Sequence, residues 1–81
     1  MARYAVVAFK NADGGQTTVR LKLVSETATR IAGYKVHADG DEVGGTKLQL
    51  FVIAVADITR RVPLVFDRQF ALLVPEGTET V

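Results

Sequence analysis

The sequence predicts a mainly β protein, built as a small antiparallel sheet or barrel of five to six strands. Val, Ile and Thr supply 23 of the 81 residues, and branched side chains favour strands over helices. Short alternating segments recur between clusters rich in Gly and Asp, which are typical of turns. Cysteine is absent, so packing or association must stabilise the fold. The length predicts one domain over residues 1–81.

The first two strands are expected to form a hairpin. Ala2–Lys10 and Thr17–Val24 flank a turn at residues 11–16, which contains the hairpin dipeptide Asp13-Gly14. With Asp13-Gly14 as a two-residue turn, one buried face would pair Ala8 with Val19, Val6 with Leu21, and Tyr4 with Leu23. Moving the turn to Gly14-Gly15 leaves the two faces unchanged. The opposite face would carry Arg3, Val7, Phe9, Arg20 and Lys22.

The segment at residues 25–33 is open to two interpretations. Ser25 could cap a short helix that ends at Gly33, with Ala28, Ile31 and Ala32 at helical spacing. Two threonines and barely two turns of length favour an irregular strand instead. A third strand follows at residues 34–38, where Tyr34, Val36 and Ala38 alternate with polar residues.

The longest strand pattern runs from Thr46 to Thr59 and looks apolar on both faces. One face carries Leu48, Leu50, Val52, Ala54, Ala56 and Ile58. The other carries Phe51, Ile53 and Val55 between Gln49 and Asp57. A strand buried on both faces has this pattern, so we expect residues 46–59 to form the central strand.

Two short strands are expected to complete the sheet, at residues 64–66 and 70–74. Pro63 lacks the backbone N–H that a central ladder needs, which predicts that the long strand ends before it. The polar residues 74–81 are expected to fray as a tail.

No motif in the chain predicts catalysis, a metal or a cofactor. His37 is the single histidine, and no placed Ser or Cys completes a nucleophilic set. The loop from Asp39 to Glu42 begins like a calcium loop, but Val43 and Leu50 stand where oxygen ligands are required. The sequence therefore predicts a protein that is not an enzyme.

The charge and hydropathy patterns limit the class of partner. Ten Lys and Arg balance nine Asp and Glu, so no global field attracts nucleic acid or anionic lipid. The longest apolar run, residues 50–56, is far shorter than the roughly 20 residues of a membrane span. Without a signal-peptide pattern, we expect a cytoplasmic location and no membrane partner.

The surplus of apolar residues suggests self-association as the function. Apolar residues and glycine make up 44 of the 81 residues, about 54% against a usual 45 to 50%. If no part of the same chain covers Phe51, Ile53 and Val55, an apolar stripe is left for another copy or another protein. Our first hypothesis is a homo-oligomeric interaction module with these three residues at its interface.

An alternative hypothesis is a nucleic-acid-binding β domain. Arg20 and Lys22 beside Phe9 would combine phosphate contacts with a stacking ring. Arg3, Arg60 and Arg61 could extend this basic surface. The competing interpretation is a solvated face, on which Lys and Arg stems cover an exposed Phe.

Overall fold

The computed structural model describes residues 2–44 and 49–79, which form one open antiparallel sheet of six strands. The strands are β1 (Arg3–Lys10), β2 (Gln16–Glu26), β3 (Arg30–Lys35), β4 (Leu50–Ala54), β5 (Ile58–Asp67) and β6 (Leu72–Pro75). Their order across the sheet is β4-β3-β2-β1-β5-β6. The expected mainly β, antiparallel architecture with six strands is confirmed.

The sheet is strongly curled, as the connection between β4 and β5 requires. Three strands lie between β4 and β5, which would separate them by roughly 19 Å in a flat sheet. The 3-10 turn Val55–Asp57 joins them, and three such residues span only about 6 Å. Curling brings Ile53 of β4 into one core with Val7 of β1 and Leu21 of β2.

The prediction of a single strand over residues 46–59 is wrong. Residues 46–48 lie outside the described residues, and the rest divides into β4, the 3-10 turn and the start of β5. The Val55 N–H donates to Thr29 O at 2.9 Å, the last bond to the β3 side. The chain then changes neighbours, because Ile58 already pairs with Phe9 of β1. Since apolar alternation continues through this corner, hydrophobicity does not mark the break.

Pro63 lies inside β5 opposite Ala5, so the predicted strand end before it is also wrong. The Pro63 carbonyl accepts the Glu76 N–H at 2.9 Å, on the side away from β1. Because the nitrogen and the carbonyl of one strand residue face the same side, the missing N–H falls where β6 ends. The ladder between β1 and β5 therefore loses no donor, which is how a strand tolerates proline.

The first hairpin forms, but its predicted register is wrong by one residue. Val7 lies opposite Val19 and Ala5 opposite Leu21. The connecting loop contains five residues, 11–15, in which Asn11 N–H donates to Gly15 O at 2.9 Å and Gly14 has a φ of 85°. A loop with an odd number of residues shifts the pairing of β1 with β2 by one residue relative to a two-residue turn. Each β1 side chain therefore lies on the sheet face opposite to the predicted one.

Residues 25–33 adopt the irregular strand of the two alternatives. β2 continues to Glu26, and β3 begins at Arg30. Thr27 Oγ1 accepts the Arg30 N–H at 3.1 Å and closes the turn between them. The sheet is interrupted by a bulge between Leu23 and Ser25.

A short arm, residues 36–43, crosses the outer face of the sheet, which is the face opposite the core. The third strand was predicted at residues 34–38, but β3 ends at Lys35 and the arm begins directly after it. Its first residue, Val36, is buried, at 4% exposure. Hydrogen bonds hold the arm at both ends: Val36 N–H to Arg20 O at 3.0 Å, Lys22 Nζ to Glu42 Oε1 at 3.2 Å, and Leu73 N–H to Ala38 O at 2.8 Å. Arg20 Nη1 also lies 3.5 Å from Val36 O. The arm thus reaches β6.

The C-terminal strand begins later and extends further than expected. Phe70 lies in the turn before β6, whereas Val74 and Pro75 belong to the strand and not to a frayed tail. Beyond β6, the Thr78 N–H donates to Pro75 O at 3.1 Å. The last part of the expected tail, residues 80 and 81, lies outside the described residues.

Candidate functional site

The two edges of the sheet differ in how they are covered. β6 is only four residues long and ends in Pro75. Its Leu73 N–H donates to Ala38 O of the arm at 2.8 Å. Short length, proline and a covering loop are the usual protections against pairing with another strand. The β6 edge therefore has little capacity to bind a further strand.

The β4 edge is also short, at five residues, but among the described residues it has neither a proline nor a covering loop. Leu50–Ala54 contains no charged residue and no proline, and its register with β3 is regular from Leu50 opposite Tyr34 to Ala54 opposite Arg30. Within residues 2–44 and 49–79, no strand pairs with its other side. A regular, uncharged edge of this kind is open to pairing with another strand.

The direction of the β4 backbone groups follows from one hydrogen bond. The Val55 N–H donates to Thr29 O, toward the β3 side. In an antiparallel ladder, successive residues alternate between bonding to one neighbour and pointing away from it. The N–H and C=O groups of Phe51 and Ile53 therefore face β3, and those of Leu50, Val52 and Ala54 point outward.

The same three residues place apolar side chains on the outer face. Leu50 is 50% exposed and Val52 is 51% exposed, and Ala54 is also exposed. We call Leu50, Val52 and Ala54 the β4 edge row. Outward backbone groups and exposed apolar side chains thus belong to the same residues. This combination suits an incoming strand, which supplies hydrogen bonds and apolar contacts together.

The three residues predicted from the sequence as an interface do not share one exposed surface. Ile53 is buried, at 3% exposure, in the core. The ring of Phe51 packs edge-on against Phe9, with centroids 5.8 Å apart. Val55 lies in the 3-10 turn. The first hairpin of the same chain thus covers Phe51 and Ile53, whereas Val55, at 38% exposure, and the β4 edge row stay available.

Sequence reasoning missed the β4 edge row because both rows of the segment are apolar. A polar residue normally marks the solvent side of a strand. The row that contains Leu50 and Val52 has no polar residue, so the sequence pattern predicts that this row is the buried one. No signal in this sequence identifies it as the exposed row.

The six residues of the predicted nucleic-acid surface are dispersed. Arg3 and Arg61 both form ion pairs with Glu26. Phe9 packs toward the core, whereas Arg20 and Lys22 contact the arm on the outer face. Arg60 lies opposite Ala8, also on the outer face. Arg20, Lys22 and Arg60 thus lie on the face opposite the Phe9 ring, and Arg3 and Arg61 are held by Glu26. No cluster of the six favours nucleic-acid binding, which stays a prediction.

Glu26 bridges three strands with its two cationic partners. Arg3 belongs to β1, Glu26 to β2 and Arg61 to β5. The hydrogen bond from Arg61 lowers the pKa of Glu26 below its ordinary value despite the opposing effect of burial, and the charges of Arg61 and Arg3 lower it further. Both arginines are held by this one carboxylate, so the cluster ties the three strands together and offers no unpaired group for chemistry.

The remaining chemistry-bearing residues do not assemble into a site. The backbone N–H of His37 donates to Asp41 O at 2.7 Å inside the arm. Across the described part of the chain, no three His, Cys, Asp or Glu side chains converge as metal ligands, and no helix is long and apolar enough to cross a membrane. No protein-family model, curated protein or solved structure matches this chain. The candidate role of the β4 edge therefore rests on the chain's own sequence and structure.

Proposed function

We propose that this protein is a non-enzymatic interaction module that assembles with itself through the β4 edge row. The observation that carries the proposal is the contrast between the two sheet edges. The β6 edge is covered by the arm and ends in proline, whereas the β4 edge is uncharged, apolar and unpaired among the described residues. Natural sheets protect their edges unless the edge pairs with another strand.

The size of the molecular surface supports association. The accessible surface is 5675 Å², against roughly 4,800 Å² expected for a folded monomer of this mass. The radius of gyration is 12.9 Å, against about 11.7 Å for a domain of this length. The chain therefore exposes more surface than a compact monomer of its size, and self-association would bury part of it.

The expected affinity is modest and depends on protein concentration. Three residues that each donate and accept would form up to about six backbone hydrogen bonds, worth about 0.5 to 1.5 kcal/mol each. Apolar contacts of Leu50 and Val52 add about 25 cal/mol for each Å² buried. Loss of translational and rotational freedom opposes these gains by about 4 to 15 kcal/mol.

The proposal is tested by light scattering from micromolar to millimolar concentration. We expect the wild-type mass to rise above the monomer mass of 8.8 kDa and Val52→Lys to stay monomeric, because a lysine on an edge opposes pairing. Val24→Lys is the matched control. Val24 is similarly exposed, at 57%, but lies on β2, so this variant should associate like wild type.

Two results would contradict the proposal. One is a wild-type protein that keeps the monomer mass at every concentration. The other is equal dissociation by Val52→Lys and Val24→Lys, which would locate the interface away from β4. Because both side chains point into solvent, circular dichroism should show the native strand signal in both variants.

A further inference from the structure

We infer that the partner strand is β4 of a second copy, paired antiparallel about a two-fold axis at Val52. In this register Val52 lies opposite Val52 of the partner subunit, and Leu50 lies opposite Ala54 of the partner subunit. The inference rests on the proposed function and adds the stoichiometry and the register. It makes the assembly a closed dimer, because a two-fold contact uses the same surface on both copies.

The symmetry of the outward backbone groups selects this register. The outward groups belong to Leu50, Val52 and Ala54, which are spaced evenly about Val52. A two-fold axis at Val52 matches each of the three with an outward residue of the other copy, in pairs that exchange both hydrogen bonds. A shift by two residues in either direction leaves Leu50 or Ala54 without a partner from the described part of β4.

The side chains of the β4 edge row suit the same register. At a two-fold axis the central side chain meets its own copy, so a charge there would face a like charge. Val52 is neutral and branched, which favours cross-strand packing. On either side, the large Leu50 would lie beside the small Ala54 of the partner subunit. The result is one continuous apolar row of six side chains on the outer face.

The flanking sequence also permits close approach of two copies. Residues 49–56 contain no charged side chain, so antiparallel pairing of two such segments brings no like charges together. β4 also lacks a bulge against β3, and the edge therefore presents the regular alternation of donors and acceptors that an antiparallel partner needs.

Single cysteine substitutions test the register, since the chain has no cysteine of its own. Val52→Cys should form a covalent dimer under mild oxidation, because hydrogen-bonded pairs have Cα atoms about 5.5 Å apart, inside the disulfide range. Leu50→Cys alone should not, since its two thiols would be four residues apart, about 13 Å. A mixture of Leu50→Cys with a size-tagged Ala54→Cys should give the mixed dimer. Val24→Cys reports random collision.

The outcomes separate this inference from the proposed function. A wild-type dimer by light scattering, with Val52→Cys no more cross-linked than Val24→Cys, would overturn the register and leave self-association standing. Efficient cross-linking of Leu50→Cys to itself would overturn it in the same way. A monomeric wild-type mass at every concentration, with no cross-linking above the Val24→Cys level, would overturn both.

Discussion

At the scale of single residues, Gly33 shows how closely β2 and β3 approach. It lies opposite Leu23, next to the bulge in β2. A Cβ atom on Gly33 would stand 2.3 Å from Lys22 O and 3.2 Å from Leu23 Cα. Both obstacles are backbone atoms, which cannot rotate away. Glycine in a strand often marks such a close approach.

We expect Gly33→Ala to lower the free energy of unfolding by about 1 to 3 kcal/mol, the usual cost of overpacking. Denaturant titration measures it. Gly15→Ala is the control, because its new methyl group would meet mainly the movable side chains of Asp13 and Asn11. Equal stability of wild type and Gly33→Ala would show that the two strands are less tightly apposed than described.

The second residue-scale prediction concerns Glu26 and pH. Because the folded-state pKa of Glu26 is lowered by Arg61 and Arg3, its ionised form stabilises the fold above the unfolded-state pKa. This contribution is lost as the pH falls through the folded-state pKa. We therefore expect Glu26→Gln to be less stable than wild type at neutral pH and to match it in acid.

Denaturant titrations at several pH values check this prediction. The exposed Glu76 provides the control variant Glu76→Gln, which has no ion pair among the described residues. A stability gap between wild type and Glu26→Gln that stays constant, or widens, as the pH falls would contradict the account of this cluster.

At the scale of elements, local chemistry was enough to predict what the strands are. Branched residues and Gly-containing turns placed the first hairpin and predicted a mainly β fold of five to six strands, and the structure has six. These signals are local in sequence, so they need no knowledge of tertiary contacts. They predict the kind of element better than its neighbours or its ends.

Register and strand partners could not be predicted, because they depend on loop length and sheet curling, which do not change the order of apolar and polar residues. Asp13-Gly14 is present whether the hairpin closes with a two-residue turn or with the five-residue loop 11–15. The length of the loop decides whether Val7 or Ala8 lies opposite Val19, and the structure has Val7. The corner at residues 55–57 exists because the chain changes from β3 to β1 as its neighbour. Curling of the whole sheet, rather than local preference, places it there.

The sequence pointed to the segment that contains the candidate site, but it selected Phe51, Ile53 and Val55 instead of Leu50, Val52 and Ala54. The sequence marks the Leu50–Ala54 region as unusual, because both of its faces are apolar. Successive strand residues lie on opposite faces, so the segment has two apolar rows. To tell which row is buried, one must know which face the first hairpin covers. That hairpin covers Ile53, so the exposed row is the one with Leu50 and Val52.

At the scale of the whole molecule, a thin core accompanies an unusually large surface. The largest fully buried side chains in the described part of the chain are Leu21, Ile31 and Val7, and none is aromatic. Phe9 and Phe51 remain half-buried at the rim of the core. A domain of this size has little stability to spare, and oligomerisation is one of the usual ways to supplement it.

Amide hydrogen exchange at Val52, measured by NMR across a concentration series, tests the pairing of the β4 edge most directly. The Ile53 N–H faces β3 and should be protected at every concentration. The Val52 N–H faces outward and has no partner among the described residues, so its exchange should slow as the dimer fraction rises and a partner strand bonds to it. Rapid Val52 exchange that does not change with concentration, beside a protected Ile53, would contradict the account.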